Sequence, residues 1–398
     1  FLFHRFNLPM VPSLCVFLSA SLALERPCRP FTHPIARSRL LAPACAVLPP
    51  SRKAELHSFL EEAGMTAPPQ AIEEMSAGFC NWVYRVDMPA PVGQVVVKLF
   101  SPLAKYRLAP DLRGHGDEVA GAHGIGPRLH FRNAQGLICD FLPGDTLTEA
   151  DMHGESVELP KLIAPRLAEL HSLSLSDAAT HSARTAREPV LWNFLDAMLS
   201  HVESGGDEGA RVAASLIDVP QVRREVSRMR ARFDALELPV VVGHGDLKPS
   251  NVMLTASEGE RICFIDFELA GAHYRGYDLF KLFRTAGKMS TRNLKVFLSE
   301  YLDALPGAPT RAESRELMLE EIYAETLAAE PLTWLEAAVF FLFAVREYPS
   351  ERERWAPLAT QRWTAYLVSA SAIDDGGAVT SALRSARQAI QACMLREP

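Results

Sequence analysis

The sequence predicts an α+β protein of two lobes, a small antiparallel β-sheet followed by a larger, mainly helical part. Five short strand-like runs crowd between Ile72 and Phe141, with one helical stretch among them. Past Pro143-Gly144 the spacing of apolar residues is mostly helical. Three further short strands, Val240 to Val242, Val252 to Leu254 and Ile262 to Ile265, interrupt that helical part. The first two bracket the segment Gly-His-Gly-Asp-Leu-Lys-Pro-Ser-Asn, Gly243 to Asn251.

Taken in order, Arg52 to Ala63 has helical spacing, with Leu56, Phe59 and Leu60 on one face. Strands are expected around Ile72 to Met75, Trp82 to Asp87 and Gln94 to Phe100, where β-branched and aromatic residues gather. A polar helix is expected over Asp111 to His123, then strands at Arg128 to Phe131 and Leu137 to Phe141. In the second part, Leu162, Leu167 and Leu170 mark a helix over Leu159 to Leu173, and Val219 to Leu236 reads as a charged amphipathic helix. Helices resume from Tyr277, and Trp334 to Val345 reads as one buried helix. The division expected is 1–50 as a targeting or disordered segment, 51–142 as the sheet lobe, and 143–398 as the helical lobe.

The 398 residues are 48% hydrophobic and 22% charged, an ordinary globular balance. A net charge of −7, with no basic face at helical spacing, gives no electrostatic reason to bind nucleic acid or anionic lipid. Seven scattered cysteines without a CxxC pair point to neither a disulfide framework nor a zinc site, and fit buried thiols in a reducing compartment. The segment 1–50 differs: five arginines, no lysine and a single acid, Glu25. Its apolar run Val11 to Leu24 is too short and interrupted to span a bilayer. A cytoplasmic protein is expected, with a signal or organellar transit segment as the alternative reading of that stretch.

Phosphoryl transfer requires oxygen ligands for magnesium, a cation on the phosphates and a base to orient the attacking hydroxyl. Asp246 follows an apolar strand, so its carboxylate emerges at a strand end where a hydroxyl can reach it. Five residues on, Asn251 offers an amide oxygen, and Asp266 at the end of the strand Ile262 to Ile265 returns a carboxylate to the same region. Lys98 is the one cation in the apolar run Val95 to Phe100, a costly place for it unless paired. Asp111, Asp117 and Glu118 all lie in a stretch from which an acid can reach it. The turn Ser76 to Asn81, between two strands, is where a phosphate-covering loop belongs, although it carries one Gly and no GxGxxG.

The stretch Ile265 to Arg284, IDFELAGAHYRGYDLFKLFR, resembles the choline/ethanolamine kinase family, within the wider fold shared by aminoglycoside phosphotransferases and protein kinases. SAGFCNWVYRV, HGIGPRLHF, GLICDFLPGDTL and LAELHSL are similar to further family segments, so the likeness runs over roughly Ala77 to Tyr366. The resemblance implies a protein kinase-like fold and ATP- and Mg²⁺-dependent phosphorylation of a small amino alcohol, choline or ethanolamine, for phospholipid head-group synthesis. It implies Asp246 as catalytic base, Asn251 and Asp266 as magnesium ligands, and Lys98 as the nucleotide-phosphate contact, with Gly78 and Asn81 in the covering turn. Lys248 departs from the family and stands where a protein kinase has its lysine, a position from which it would neutralise the γ-phosphate. Counting back from Gly126-Pro127 favours Asp111 as the partner of Lys98, with Glu118 as the alternative.

For the acceptor, the resemblance implies Glu268, Tyr274 and Arg275, and places Phe340 and Phe343 where the family has two tryptophans. These phenylalanines read equally well as a cation-π cage and as core. Leu269 and Thr285 replace an aromatic and an acid of the family. Aminoglycoside- or thiamine-type alcohols therefore stay open as acceptors, as does a nucleotide-binding pseudokinase, and homodimer formation is left open too.

Overall fold

Val95, Val97 and Leu99 alternate along one strand and are at most 1% exposed, because they pack on Leu56, Phe59 and Leu60 of the helix Pro50–Glu62. That strand is β3 (Gln94–Phe100), the middle of a five-stranded antiparallel sheet. The others are β1 (Ala71–Ala77), β2 (Asn81–Asp87), β4 (Leu129–Arg132) and β5 (Gly136–Asp140), in the order β1-β2-β3-β5-β4. The alternation of a strand sends Lys98 to the opposite face from Val97 and Leu99. Its register partners are Val83 on β2 and Leu137 on β5, so Lys98 is on a central strand and not on an edge. This computed structural model describes residues 48–77, 81–153, 156–178, 188–255, 261–284, 291–371 and 377–394. The segment 1–47, most of the stretch read as targeting or disordered, lies outside the described residues, as do Gly78 and Thr285.

Two elements of this lobe differ from the expectation. A short helix, Pro102–Arg107, follows β3 directly, capped by the Ser101 hydroxyl, which accepts from Ala104 N at 3.4 Å. The polar helix is His115–Ala122, so Asp111 precedes it instead of starting it. Glycine sets both ends of that placement: a Cβ on Gly116 would lie 2.5 Å from the Phe267 carbonyl, and one on Gly121 2.6 Å from that of Pro127.

Beyond Asp140 the chain is built on helices. β6 (Gly144–Thr146), β8 (Val252–Thr255) and β9 (Arg261–Phe264) form a small antiparallel sheet, and β7 (Val240–Gly243) pairs with β10 (Gly271–Tyr274). The pairing of β7 with β10 was not visible in the sequence, since Gly-Ala-His-Tyr carries little strand pattern. Helix Val219–Leu236 presents Val222, Val226, Met229 and Phe233 to the core. Helix Glu330–Glu347 runs through that core with Leu335, Val339, Leu342 and Phe343 fully buried. The stretch Ala312–Glu347 is, among the described residues, the one long and apolar enough to cross a membrane, and its most apolar part is largely buried inside the fold.

Arg275 and Glu325 tie helix Arg275–Arg284 to helix Ala312–Ala328, with Nε–Oε2 at 2.8 Å and Nη2–Oε1 at 2.9 Å. Glu325 has no exposed surface, and between the two helices a Cβ on Gly276 would come within 2.3 Å of the Glu325 carbonyl. Removing the guanidinium strands a buried carboxylate. Arg275→Met is expected to cost about 3–5 kcal/mol of stability, measured by urea unfolding.

Candidate active site

The segment Gly243 to Asn251 is shaped by one glycine and one buried carboxylate. Gly245 has φ +79, and a Cβ there would sit 2.3 Å from the Leu269 carbonyl and 2.7 Å from His273 Nε2. This is why the residue before Asp246 is Gly and not Arg: the site has neither the backbone conformation nor the room for a side chain. Asp278, fully buried on helix Arg275–Arg284, accepts from His244 N at 2.6 Å and Gly245 N at 2.9 Å. His171 Nε2 lies 3.3 Å from the same carboxylate and its Nδ1 is 2.7 Å from the Tyr301 hydroxyl. Burial opposes ionisation of Asp278, but its hydrogen bond with His171 holds its carboxyl well below the ordinary range.

His244 completes the turn. Its Nε2 lies 3.0 Å from the Ile265 carbonyl, its Nδ1 accepts from Asp246 N at 3.3 Å, and its ring lies tilted against Phe267. Leu247, with no exposed surface, pins the loop to the core, and the single turn Pro249–Asn251 carries Asn251 back to Asp246. Asn251 donates Nδ2 to Asp246 O at 2.9 Å and Asp246 Oδ2 at 3.3 Å. That leaves the amide carbonyl as the end available to a ligand. Asp266 adopts the left-handed conformation, φ 68 and ψ 56, which Asp tolerates better than most residues.

Three cations close on these carboxylates. Lys98 Nζ lies 2.7 Å from Asp266 Oδ1 and 3.8 Å from Asp117 Oδ1. Burial disfavours the charged ammonium of Lys98, yet Asp266, then Asp117 and Glu268, reverse the balance and push its pKa up. Lys248 donates to Asp246 Oδ2 at 2.8 Å, and Lys281 Nζ lies 3.0 Å from Asp246 Oδ1. Against the cost of burial, Lys248 and then Lys281 hold the Asp246 carboxyl far below its usual range, so it is ionised at neutral pH. Glu268 is a link between the lobes: Asn81 Nδ2 and Arg107 Nη2 both donate to it at 2.5 Å. Burial nevertheless raises its pKa, with Arg107 opposing.

Asp246, Asn251, Asp266 and Lys98 therefore converge where the sheet lobe meets the helical lobe. A family model of choline/ethanolamine kinases matches residues 72–367. The chain belongs to the choline/ethanolamine kinase family. Among its relatives, ethanolamine kinase 2 of Mus musculus is 30% identical over 221 residues, which is 52% of this chain and 52% of the relative. A probable ethanolamine kinase of Arabidopsis thaliana is 24% identical over 71% of this chain and 75% of the relative. The chain thus spans about half the length of the mouse relative it matches. Two solved structures share the fold. One is an ethanolamine kinase of Plasmodium vivax, with TM-score 0.61, 18% identity and coverage of 75% of this chain and 81% of that one. The other is a choline kinase of Cryptosporidium parvum, with TM-score 0.59, 15% identity and coverage of 81% and 97%.

Several expected site residues of this family member are placed elsewhere. Asp111 is exposed, with its carbonyl 3.3 Å from Arg132 Nη1, and Glu118 pairs with Arg132 at 2.8 Å. Asp117 is the acid beside Lys98, because one residue of register on a helix turns a side chain by about 100°. Tyr274 accepts from Trp192 Nε1 at 3.1 Å within the helical core, and Arg275 is committed to Glu325, so neither faces the site as an acceptor contact. Phe343 has no exposed surface and packs on Tyr106 and His201: it is core, not cage. Phe340 is half-buried, and its ring already faces the Arg107 guanidinium at 5.2 Å. Sequence reasoning missed Arg107, Lys281 and Glu336. Arg107 lies in a helix that was not expected, and Lys281 reads as one charge in an apolar run.

Gly245→Ala meets both a positive φ and a backbone oxygen that cannot yield. It is expected to cost about 1–3 kcal/mol in a urea melt.

Proposed function

We propose that this chain transfers the γ-phosphoryl group of ATP to the hydroxyl of a small amino alcohol, with ethanolamine preferred to choline. The observation that carries the reading is the convergence of Asp246, Asn251, Asp266 and Lys98 on one cleft of a choline/ethanolamine kinase family member. Asp246, kept ionised, orients the hydroxyl and receives its proton. Lys98 faces the nucleotide phosphates from the sheet lobe. Lys248, about a third exposed, has the freedom to leave Asp246 Oδ2 for the transferring phosphoryl group. The donor set of one amide carbonyl and one carboxylate, both hard oxygens, suits Mg²⁺, which keeps waters and phosphate oxygens as its other ligands. Held by Asn251 and Asp266, the ion would neutralise charge on the phosphates.

Preference for a primary ammonium follows from the aromatics. A quaternary ammonium is bound best by open π faces. Here Phe343 is buried, Phe340 is covered by Arg107, and Tyr277 has the Lys281 ammonium 5.2 Å from its ring. A primary ammonium has N–H donors and is served by carboxylates instead.

ADP release with Mg²⁺ against ethanolamine, choline and uncharged alcohols tests this. Ethanolamine is expected to have a kcat/KM at least about tenfold above choline, a difference of about 1.4 kcal/mol. Turnover confined to uncharged alcohols would leave the phosphoryl chemistry standing and remove the amine. Asp246→Asn is expected to lower kcat by about 10²–10⁴-fold while the protein stays folded by circular dichroism. In the same assay Asp117→Asn is expected to raise the ATP KM about tenfold, the worth of one charged contact, and Asp111→Asn to leave it near wild type.

A further inference from the structure

Lys281 is 1% exposed and lies among four oxygens. Its Nζ is 2.9 Å from the Gly245 carbonyl, 3.0 Å from Asp246 Oδ1, 3.2 Å from the Tyr277 hydroxyl and 3.2 Å from Glu336 Oε2. An ammonium has three protons to donate, so this cation is saturated by the protein and has no donor left for a substrate. Glu336, itself 5% exposed on helix Glu330–Glu347, supplies the second negative charge. A buried chain Asp246–Lys281–Glu336 thereby connects the Asp246 loop to two core helices.

The two oxygens of Asp246 stand in different circumstances. Oδ1 faces the buried Lys281, on helix Arg275–Arg284. Oδ2 faces Lys248, whose side chain is 36% exposed, and Asn251. A short path of packed groups surrounds the first, and a partly exposed side chain attends the second. From this geometry we infer that Lys281 is a positioning residue that holds the catalytic aspartate by Oδ1 and makes Oδ2 the oxygen that meets the acceptor hydroxyl. The inference rests on the reading of Asp246 as base. Near-attack geometry is sensitive to displacements of about 1 Å, which can cost about 10²-fold in rate. Removing the tether should therefore slow turnover far more than it weakens nucleotide binding.

The test is a double-mutant cycle on the full chain with Asp246→Asn and Lys281→Met, read in two ways. In ADP release, Lys281→Met is expected to lower kcat about 100-fold with the ATP KM within about threefold of wild type. Once Asp246 is replaced, the same change should add little further loss. In thermal unfolding, which needs no turnover, Lys281→Met should shift Tm by different amounts in the wild-type and Asp246→Asn backgrounds. Additive effects in both readouts, or a Lys281→Met enzyme with near-normal kcat and an altered choice of acceptor, would overturn the tether. If Lys281→Met does not fold, Lys281→Gln, neutral but still a hydrogen-bond donor, carries the same comparison. Wild-type protein inactive on every acceptor would sink the functional reading and the positioning role that rests on it, while the thermal cycle would still decide whether Lys281 and Asp246 are coupled.

Discussion

The carboxylate of Asp278 receives the backbone N–H groups of His244 and Gly245, and the site depends on that contact. A loop that turns with a left-handed glycine has no regular ladder to satisfy its amides, and a buried amide without a partner costs about as much as a lost hydrogen bond. Asp278 meets two of them at once. Burial keeps the rings beside it neutral, since desolvation lowers the pKa of both His171 and His273. A neutral His171 that donates from Nε2 to Asp278 can accept the Tyr301 hydroxyl proton at Nδ1, so one buried carboxylate is held by a fully engaged ring. The loop is thereby fixed from the helix that follows Asp266, which is how two segments over thirty residues apart hold one geometry.

On that frame acidic and basic groups alternate. Asp117, Lys98 and Asp266 form one short chain, and Lys248, Asp246, Lys281 and Glu336 form a second. Each carboxylate or ammonium here would be expensive to bury singly, and each has a group of opposite sign within 4 Å. Such arrangements are weak contributors to net stability, since apolar residues of similar volume often pack at no greater cost. The cleft holds its cations already paired with partly or fully buried carboxylates.

Glu268 gives the junction of the lobes its particular form. By accepting from Asn81 at the start of β2 and from Arg107 in the helix after β3, it secures two parts of the sheet lobe to the loop that carries Asp266. Arg107 in turn lies over Phe340. One carboxylate thus couples the sheet lobe to the aromatic helix of the other lobe, and a cation of the protein faces the Phe340 ring.

The lobe order, the strand runs and most residues of the site are legible in the chain because they are recorded locally. Alternation of Val95, Val97 and Leu99 dictates a buried strand, and the spacing of Asp246, Lys248 and Asn251 is short enough for one turn to bring the three together. Which acid meets Lys98, which aromatics are core and which buried lysine pairs with Asp246 depended instead on packing between distant segments. Asp117 was chosen over Asp111 by where the helix His115–Ala122 begins, and that start is set by close backbone contacts at Gly116 and Gly121 with residues far along the chain or beyond the next turn. Phe340 and Phe343 are neighbours on one helix, yet a guanidinium covers the first and the core encloses the second. Lys281 and Glu336 are 55 residues apart, and a pairing across that distance leaves no local pattern, because it exists only once two helices have packed against the loop.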